Sequence, residues 1–154
     1  MTSVTLIRQF AAPLEAVFEA ISTPAGITAW WGPDAGPVLH AEMDLRVGGL
    51  YRARFRMLDG TEHECNGRFL EVSPPDRLVM TWRWAGGREA EGESRVQISL
   101  RASEGGTELT FTHSLLPDDE KTAAGHKDGW TGSLEKLQRH LSKPDAYPVN
   151  TSNG

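Results

Sequence analysis

His113 is the first residue in this chain that could do chemistry. It follows Leu109 and Phe111 at strand spacing, so the three share one face and the imidazole points inward with them. A histidine inside an apolar pocket can carry a proton or hydrogen-bond a ligand carbonyl or hydroxyl. The plainer alternative is a buried imidazole satisfied by a backbone carbonyl, or by Asp128 or Thr131 from a neighbouring helix. His113 is the best catalytic candidate, but no second acid or base of defined orientation accompanies it. His63 and Cys65 also share a strand face, which could begin a metal site. Without a third ligand in register, a structural or surface role is the better reading. Cys65 is the single cysteine. It would act as a nucleophile only if a base and a cation lowered its pKa, and packing is the default for such a thiol. His40, His63, His113, His126 and His140 show no paired metal-ligand spacing. GxSxG, Walker-type, GxGxxG and HExxH motifs are all missing. No metal and no cofactor are therefore expected.

Tryptophan is the second unusual feature, at five in 154 residues. Trp82, Trp84 and Trp130 fall at inward or pocket positions, and Trp30 and Trp31 stand where they could cover a cavity mouth. Any one indole is by default core, but several around one gap make an apolar, shape-specific wall. Arg52, Arg54 and Arg56 form a row on the outer face of a strand. Pairing across the hairpin with Glu62, Glu64 or Glu71 is the expected outcome, and a docking surface for an acidic partner is the sharper alternative.

The elements that position these residues follow from periodicity. Val4–Phe10 reads as a strand, Pro13 opens a short helix over Leu14, Val17, Phe18 and Ile21, and residues 25–31 read as a second short helix. From Val38 the period changes to two. Six strands follow, ending with the one that carries Leu109, Phe111 and His113, and most are joined by turn signals such as Leu58-Asp59-Gly60-Thr61. His126–Leu141 is the one long helix, with Trp130, Leu134, Leu137 and Leu141 on one stripe and Glu135, Lys136, Gln138 and Arg139 opposite. Gly129 and Gly132 beside Trp130 mean either a close approach by the sheet or a bound molecule, or merely a loosened first turn. A helix with one apolar stripe needs a surface to cover it, so the fold class is α+β with a strongly bent antiparallel sheet. Residues 1–143 form a single domain, and 144–154 read as a flexible tail.

Composition sets the outer bounds. The chain is 38% hydrophobic and 24% charged with a net charge of −5, which fits a soluble globular domain and argues against nucleic acid or an anionic membrane as partner. No apolar run approaches the ~18 residues a membrane span needs, and the first ten residues do not read as a signal peptide. A cytoplasmic location is expected. A homodimer and a protein partner are left open without support for either.

Four stretches resemble the helix-grip superfamily that includes the START domains and the Bet v 1 allergens (SRPBCC), in the branch named after the activator of Hsp90 ATPase. They are Ala12-Pro13 with Phe18 and Ala20, Trp30-Trp31-Gly32-Pro33, Asp44 to Gly49, and Gly67 through Pro74-Pro75 to Thr81-Trp82. His113 after Gly106-Thr107, and Gly129-Trp130 with Leu134 and Leu137, add to them, so the resemblance reaches to about Leu141. It implies a helix-grip fold: a seven-stranded curved antiparallel sheet wrapped around a long C-terminal helix, with two short helices between strands 1 and 2. It also implies a cavity between sheet and helix that takes a small, largely apolar molecule. Trp30, Trp31, Phe55, Met57, Phe69, Met80, Trp82, Phe111, His113, Trp130 and Leu134 would line that cavity, with His113 as polar anchor. The family also contains ligand carriers, cyclases and dehydratases, and a co-chaperone module that stimulates an Hsp90-type ATPase, so an enzyme of the cyclase, dehydratase or hydrolase type using the same pocket and a co-chaperone-like module are the alternatives.

Overall fold

The computed structural model describes residues 2–85 and 92–142. The expected tail over 144–154 and most of the polar loop expected over 85–92 lie outside the described residues. Ten elements follow one another: β1 (Thr2–Phe10), α1 (Leu14–Ser22), α2 (Pro24–Trp30), β2 (Val38–Met43), β3 (Leu50–Arg56), β4 (Glu62–Ser73), β5 (Arg77–Ala85), β6 (Ser94–Ser103), β7 (Gly106–Leu116) and α3 (Glu120–Leu141). The strands form one antiparallel sheet in the order β1-β7-β6-β5-β4-β3-β2. Consecutive strands are neighbours from β2 to β7, and only β1 makes a long-range pairing, with Leu6 opposite Phe111. Register shifts interrupt three ladders, between Thr2 and Val4, Val38 and His40, and Phe69 and Glu71. Such irregularities add local bend and twist, and the curved sheet closes round α3.

Alternation decides which face is covered. In β3, Tyr51, Ala53 and Phe55 are buried, and Leu50, Arg52, Arg54 and Arg56 are exposed. In β7, Leu109, Phe111 and His113 are all fully buried, as their shared parity requires. β5, at the centre of the sheet, departs from strict alternation, because Val79 and Thr81 are buried as well as Leu78, Met80, Trp82 and Trp84. Thr81 is held on the far side, its Oγ1 accepting from Arg68 N at 2.9 Å and its carbonyl accepting from Tyr51 Oη at 2.6 Å.

The helices begin where their caps put them. Thr23 Oγ1 accepts from Gly26 N at 3.0 Å and starts α2 at Pro24, a residue suited to a first turn. Asp119 accepts from Lys121 N at 3.1 Å and from the Thr122 hydroxyl at 2.8 Å. α3 therefore starts six residues ahead of the expected His126, and its first two turns are polar enough to escape a search for apolar periodicity. No helix among the described residues is long and apolar enough to cross a membrane. Leu134, Leu137 and Leu141 lie in the core as the stripe implies. Replacing Leu137 by Ala should cost about 2–5 kcal/mol of unfolding free energy, read as a lower urea midpoint at unchanged m-value.

Candidate functional site

The backbone of α3 comes into close contact with the loop after α2. A Cβ at Gly132 would overlap the carbonyl oxygen of Pro33, so only glycine lets helix and loop meet here. Ser133 Oγ donates to Gly32 O at 2.8 Å. Lys136 Nζ donates to Trp31 O at 2.8 Å and to Asp34 O at 2.6 Å. Burial pushes the Lys136 ammonium below its usual range, with the Asp34 charge opposing that shift. Gly32, at φ +94°, turns the loop. The Asp34 carboxylate accepts from Gly36 N at 2.9 Å and from Leu58 N at 3.1 Å, which ties the same loop to the turn after β3. The close approach foreseen near Trp130 is thus made by the Trp31–Asp34 loop and not by the sheet.

His113 sits behind this seam with both ring nitrogens engaged. Trp130 Nε1 donates to His113 Nδ1 at 3.0 Å. The other nitrogen, Nε2, therefore carries the proton and donates to Ser94 Oγ at 2.7 Å. Ser94 in turn donates toward Trp82 O at 3.4 Å. Asp128 and Thr131, the partners considered for His113, take no part. Burial and the neighbouring His126 ring, centroids 4.6 Å apart, lower the imidazole pKa to about 3. A neutral ring with both nitrogens used can neither anchor a ligand nor exchange a proton without breaking this chain. In this arrangement His113 holds Trp130, and neither ring nitrogen is left open for the anchoring or proton-carrying role expected of it.

A cleft of about 620 Å³ opens between the first half of α3 and the ends of β3, β4 and β5. Five expected residues line it: Trp31, Phe55, Met57, Trp82 and Trp130. The other six do not. Trp30, Phe69, Met80, Phe111, His113 and Leu134 are packed in the core behind the wall, none more than 2% exposed. Trp30 donates its indole N–H to Ala20 O at 2.9 Å, so it is a core residue and not a cover for the mouth. Correct strand parity placed all these side chains inward, but parity does not say which inward residue reaches the open end. Trp84, placed at an inward or pocket position by its parity, lines it too, and sequence reasoning missed His63, Lys121, Thr122, Gly125, His126, Asp128 and Ser133 as lining residues. Most come from the polar first turns of α3, whose only signal was the Asp119 cap.

The wall is a set of mutually packed rings. Trp31 stacks on Trp82 with centroids 5.6 Å apart and meets Trp130 edge to face at 5.1 Å. Trp82 meets Trp84 edge to face at 5.3 Å, and Trp84 stacks on His126 at 6.1 Å. The indole N–H of Trp82 is shielded from solvent and has no hydrogen-bond partner among the described residues. Cys65 lies fully buried behind the wall, near the Trp31 indole, and burial pushes its thiol far above the usual range. That excludes an activated thiolate. His63 is on the cleft wall and Cys65 is not, and no group of three or more His, Cys, Asp or Glu suited to a metal occurs among the described residues.

On the outer sheet face, Arg56 pairs with Glu62 at 3.3 Å and Arg52 with Glu42 at 3.8 Å. The first is an expected pair. The second comes from β2, and Glu71 instead pairs with Arg77 at 2.9 Å. The row reads as a solvated, ion-paired face.

The described fold agrees with comparisons to known proteins. Residues 11–142 match the family described as activator of Hsp90 ATPase homolog 1-like protein. The chain belongs to that family. Among solved structures, the AHSA1 protein of Silicibacter pomeroyi is 30% identical over 92% of this chain and 98% of its own, with a TM-score of 0.81. A protein from Chromobacterium violaceum is 27% identical over 93% and 99%, with a TM-score of 0.79. A solution structure from Arthrobacter aurescens, 23% identical over 97% and 91%, shares the fold at a TM-score of 0.80. No curated protein matches the chain. Membership carries the helix-grip architecture expected from the sequence, and helix-grip proteins of this type commonly bind hydrophobic ligands.

Two outcomes test this geometry. Gly132→Ala should destabilise the fold by about 1–3 kcal/mol despite its better helix propensity, because the overlap with Pro33 needs a backbone shift. Thermal unfolding would show it. For His113, the unfolded chain binds a proton below the ordinary value of 6.5 and the native state does not until about 3. Stability should therefore fall as pH drops through that window, with a slope of up to about 1.4 kcal/mol per pH unit. Urea midpoints measured across the window should decline less steeply in His113→Gln than in the parent, and equal slopes would refute the assignment.

Proposed function

We propose that this protein binds a small, largely apolar molecule in the cleft between the sheet and α3. The observation that carries the reading is the wall itself, in which Trp31, Trp82, Trp84 and Trp130 with Phe55 and Met57 border about 620 Å³ of open volume. Ligand pockets span roughly 300–1,000 Å³ and are mainly apolar with a few polar groups. Here the polar groups include His63, His126, Lys121 and Asp128. His113 supports the site indirectly, by holding the Trp130 ring through its indole N–H.

Native mass spectrometry of protein purified gently from its own cells should show one small molecule per chain. Four of the five indoles border the cleft, so adding that molecule back to stripped protein should quench tryptophan fluorescence saturably. Trp84→Ala should weaken the binding about tenfold or more, equivalent to about 1.4 kcal/mol. Absence of any carried molecule, together with apolar probes that bind the parent and Trp84→Ala equally, would sink the proposal.

A further inference from the structure

Leu45, Val47 and Leu50 are all exposed at the corner between β2 and β3, Val47 at 65% and Leu50 at 68%. A lone exposed apolar side chain is ordinary, whereas several together mark a contact surface. The corner is also held in place. Asp44 N donates to Leu50 O at 2.9 Å, Gly48 N donates to Phe69 O of β4 at 2.8 Å, and Phe69 N donates to Gly49 O at 2.9 Å. A Cβ at Gly49 would overlap the Asp44 carbonyl oxygen, so the turn closes on glycine. A corner fixed in this way loses little freedom when something packs on it.

The register of the sheet sets arginines beside this corner. Leu50 pairs with Arg68, Arg68 N donates to Thr81 Oγ1 at 2.9 Å, and Thr81 pairs with Arg95. At about 4.8 Å per strand, Leu50 and Arg95 stand roughly 14 Å apart on the outer face, with the buried Thr81 as the floor between two exposed arginines. Arg83, two residues along β5 from Thr81, joins the same face. Arg52 and Arg56 each have a glutamate of their own, but these three arginines are not matched one to one. Arg68 and Arg83 share a single Glu93 carboxylate oxygen at 3.5 and 3.7 Å, and Arg95 makes no ion pair among the described residues. Contacts that long leave guanidinium donors unspent. Every lysine or arginine position on β3 to β6 is arginine, whose planar fork matches a carboxylate at both oxygens.

We propose that the Leu45–Leu50 corner, with Arg68, Arg83 and Arg95, is a docking surface for an acidic segment of a partner protein. An apolar side chain of that segment packs on Val47 and Leu50, and its flanking carboxylates reach the three guanidiniums. The net charge of −5 gives no long-range attraction to such a partner, so recognition rests on these contacts. A planar anionic membrane fits less well, because it would also meet Glu42, Glu62 and Glu64 on the same face, which a narrow segment avoids. The surface lies on the side of the sheet away from the cleft, so the two sites act independently.

The probe is a short labelled peptide of Asp, Glu, Leu and Phe, followed by fluorescence anisotropy. It should bind, less tightly as salt is raised, and a counterpart with Ser for Leu and Phe should bind at least about tenfold more weakly. Leu50→Ser and Arg68→Ala should each weaken the peptide about fivefold or more with thermal midpoints within about 2 °C of the parent, since both side chains are exposed. Arg101→Ala, on the same face but bonded to Glu108 at 2.7 Å, should leave the affinity unchanged, and so should Trp84→Ala in the cleft. No binding of the peptide, equal binding of the serine counterpart, or unchanged affinity in Leu50→Ser would overturn the proposal. Loss of binding in Trp84→Ala would overturn it by moving the peptide to the cleft. Tighter binding to phosphatidylglycerol vesicles than to the peptide would assign the surface to a membrane instead. Self-association in sedimentation that Leu50→Ser abolishes would assign it to a second copy of this chain, and either result would overturn the acidic partner.

Discussion

The backbone of α3 rests on the backbone of the Trp31–Asp34 loop, and the rest of the site depends on that contact. Glycine at 132 sets the distance, and the Ser133 hydroxyl and Lys136 ammonium satisfy three loop carbonyls that would otherwise be shielded without donors. The contact also fixes Trp31, whose carbonyl is one of the three and whose ring stacks on Trp82. Asp34 then carries the constraint to the turn after β3 through Leu58 N. One seam therefore orients a helix, a loop and the end of a hairpin, and those three elements are the walls of the cleft.

A second constraint acts one helical turn earlier. Trp130 reaches across to β7, and the chain Trp130–His113–Ser94–Trp82 runs donor to acceptor through to the carbonyl of a cleft-wall residue. Such a network holds one arrangement only while every member is satisfied, because a half-satisfied one in a low-dielectric interior is worse than an apolar core. It fixes the His113 tautomer and the plane of the Trp130 ring together. Histidine suits the position because it can accept at one nitrogen and donate at the other while remaining neutral.

Most of the architecture was legible in the sequence, since it depends on period. Alternation in β3 and β7 and the Leu134–Leu137–Leu141 stripe are dictated by burial on one face, and burial is what periodicity encodes. The site was legible only in part, for two physical reasons. Parity told correctly that Phe111, His113, Met80 and Phe69 point inward, but an inward side chain in a closed sheet can face either packed core or open volume, and the two look alike in sequence. The first turns of α3 are polar because they border solvent and the cleft mouth, so Lys121, Gly125 and His126 carried no apolar signal. The turns of the helix ahead of His126 were marked only by Asp119 with Glu120 behind it. His113 was read as interesting for the right reason, its burial, yet its role was decided by Ser94, which lies opposite its strand neighbours and far off in sequence.

The opening beside α3 is not simply a place where packing failed. The same helix closes such a gap completely one turn further on, where Ser133, Leu134, Leu137 and Leu141 are buried against sheet and loop. What changes along α3 is the side chain offered to the facing wall: leucine in the second half, His126 and Trp130 interspersed with Gly125 and Gly129 in the first. A larger residue at 125 would meet no obstruction, and helix propensity would reward it. When helix propensity favours a side chain, nothing obstructs one and glycine is present instead, local stability does not explain the choice. Proteins show such local disagreements chiefly at functional sites, and here it falls on the wall that a ligand would touch.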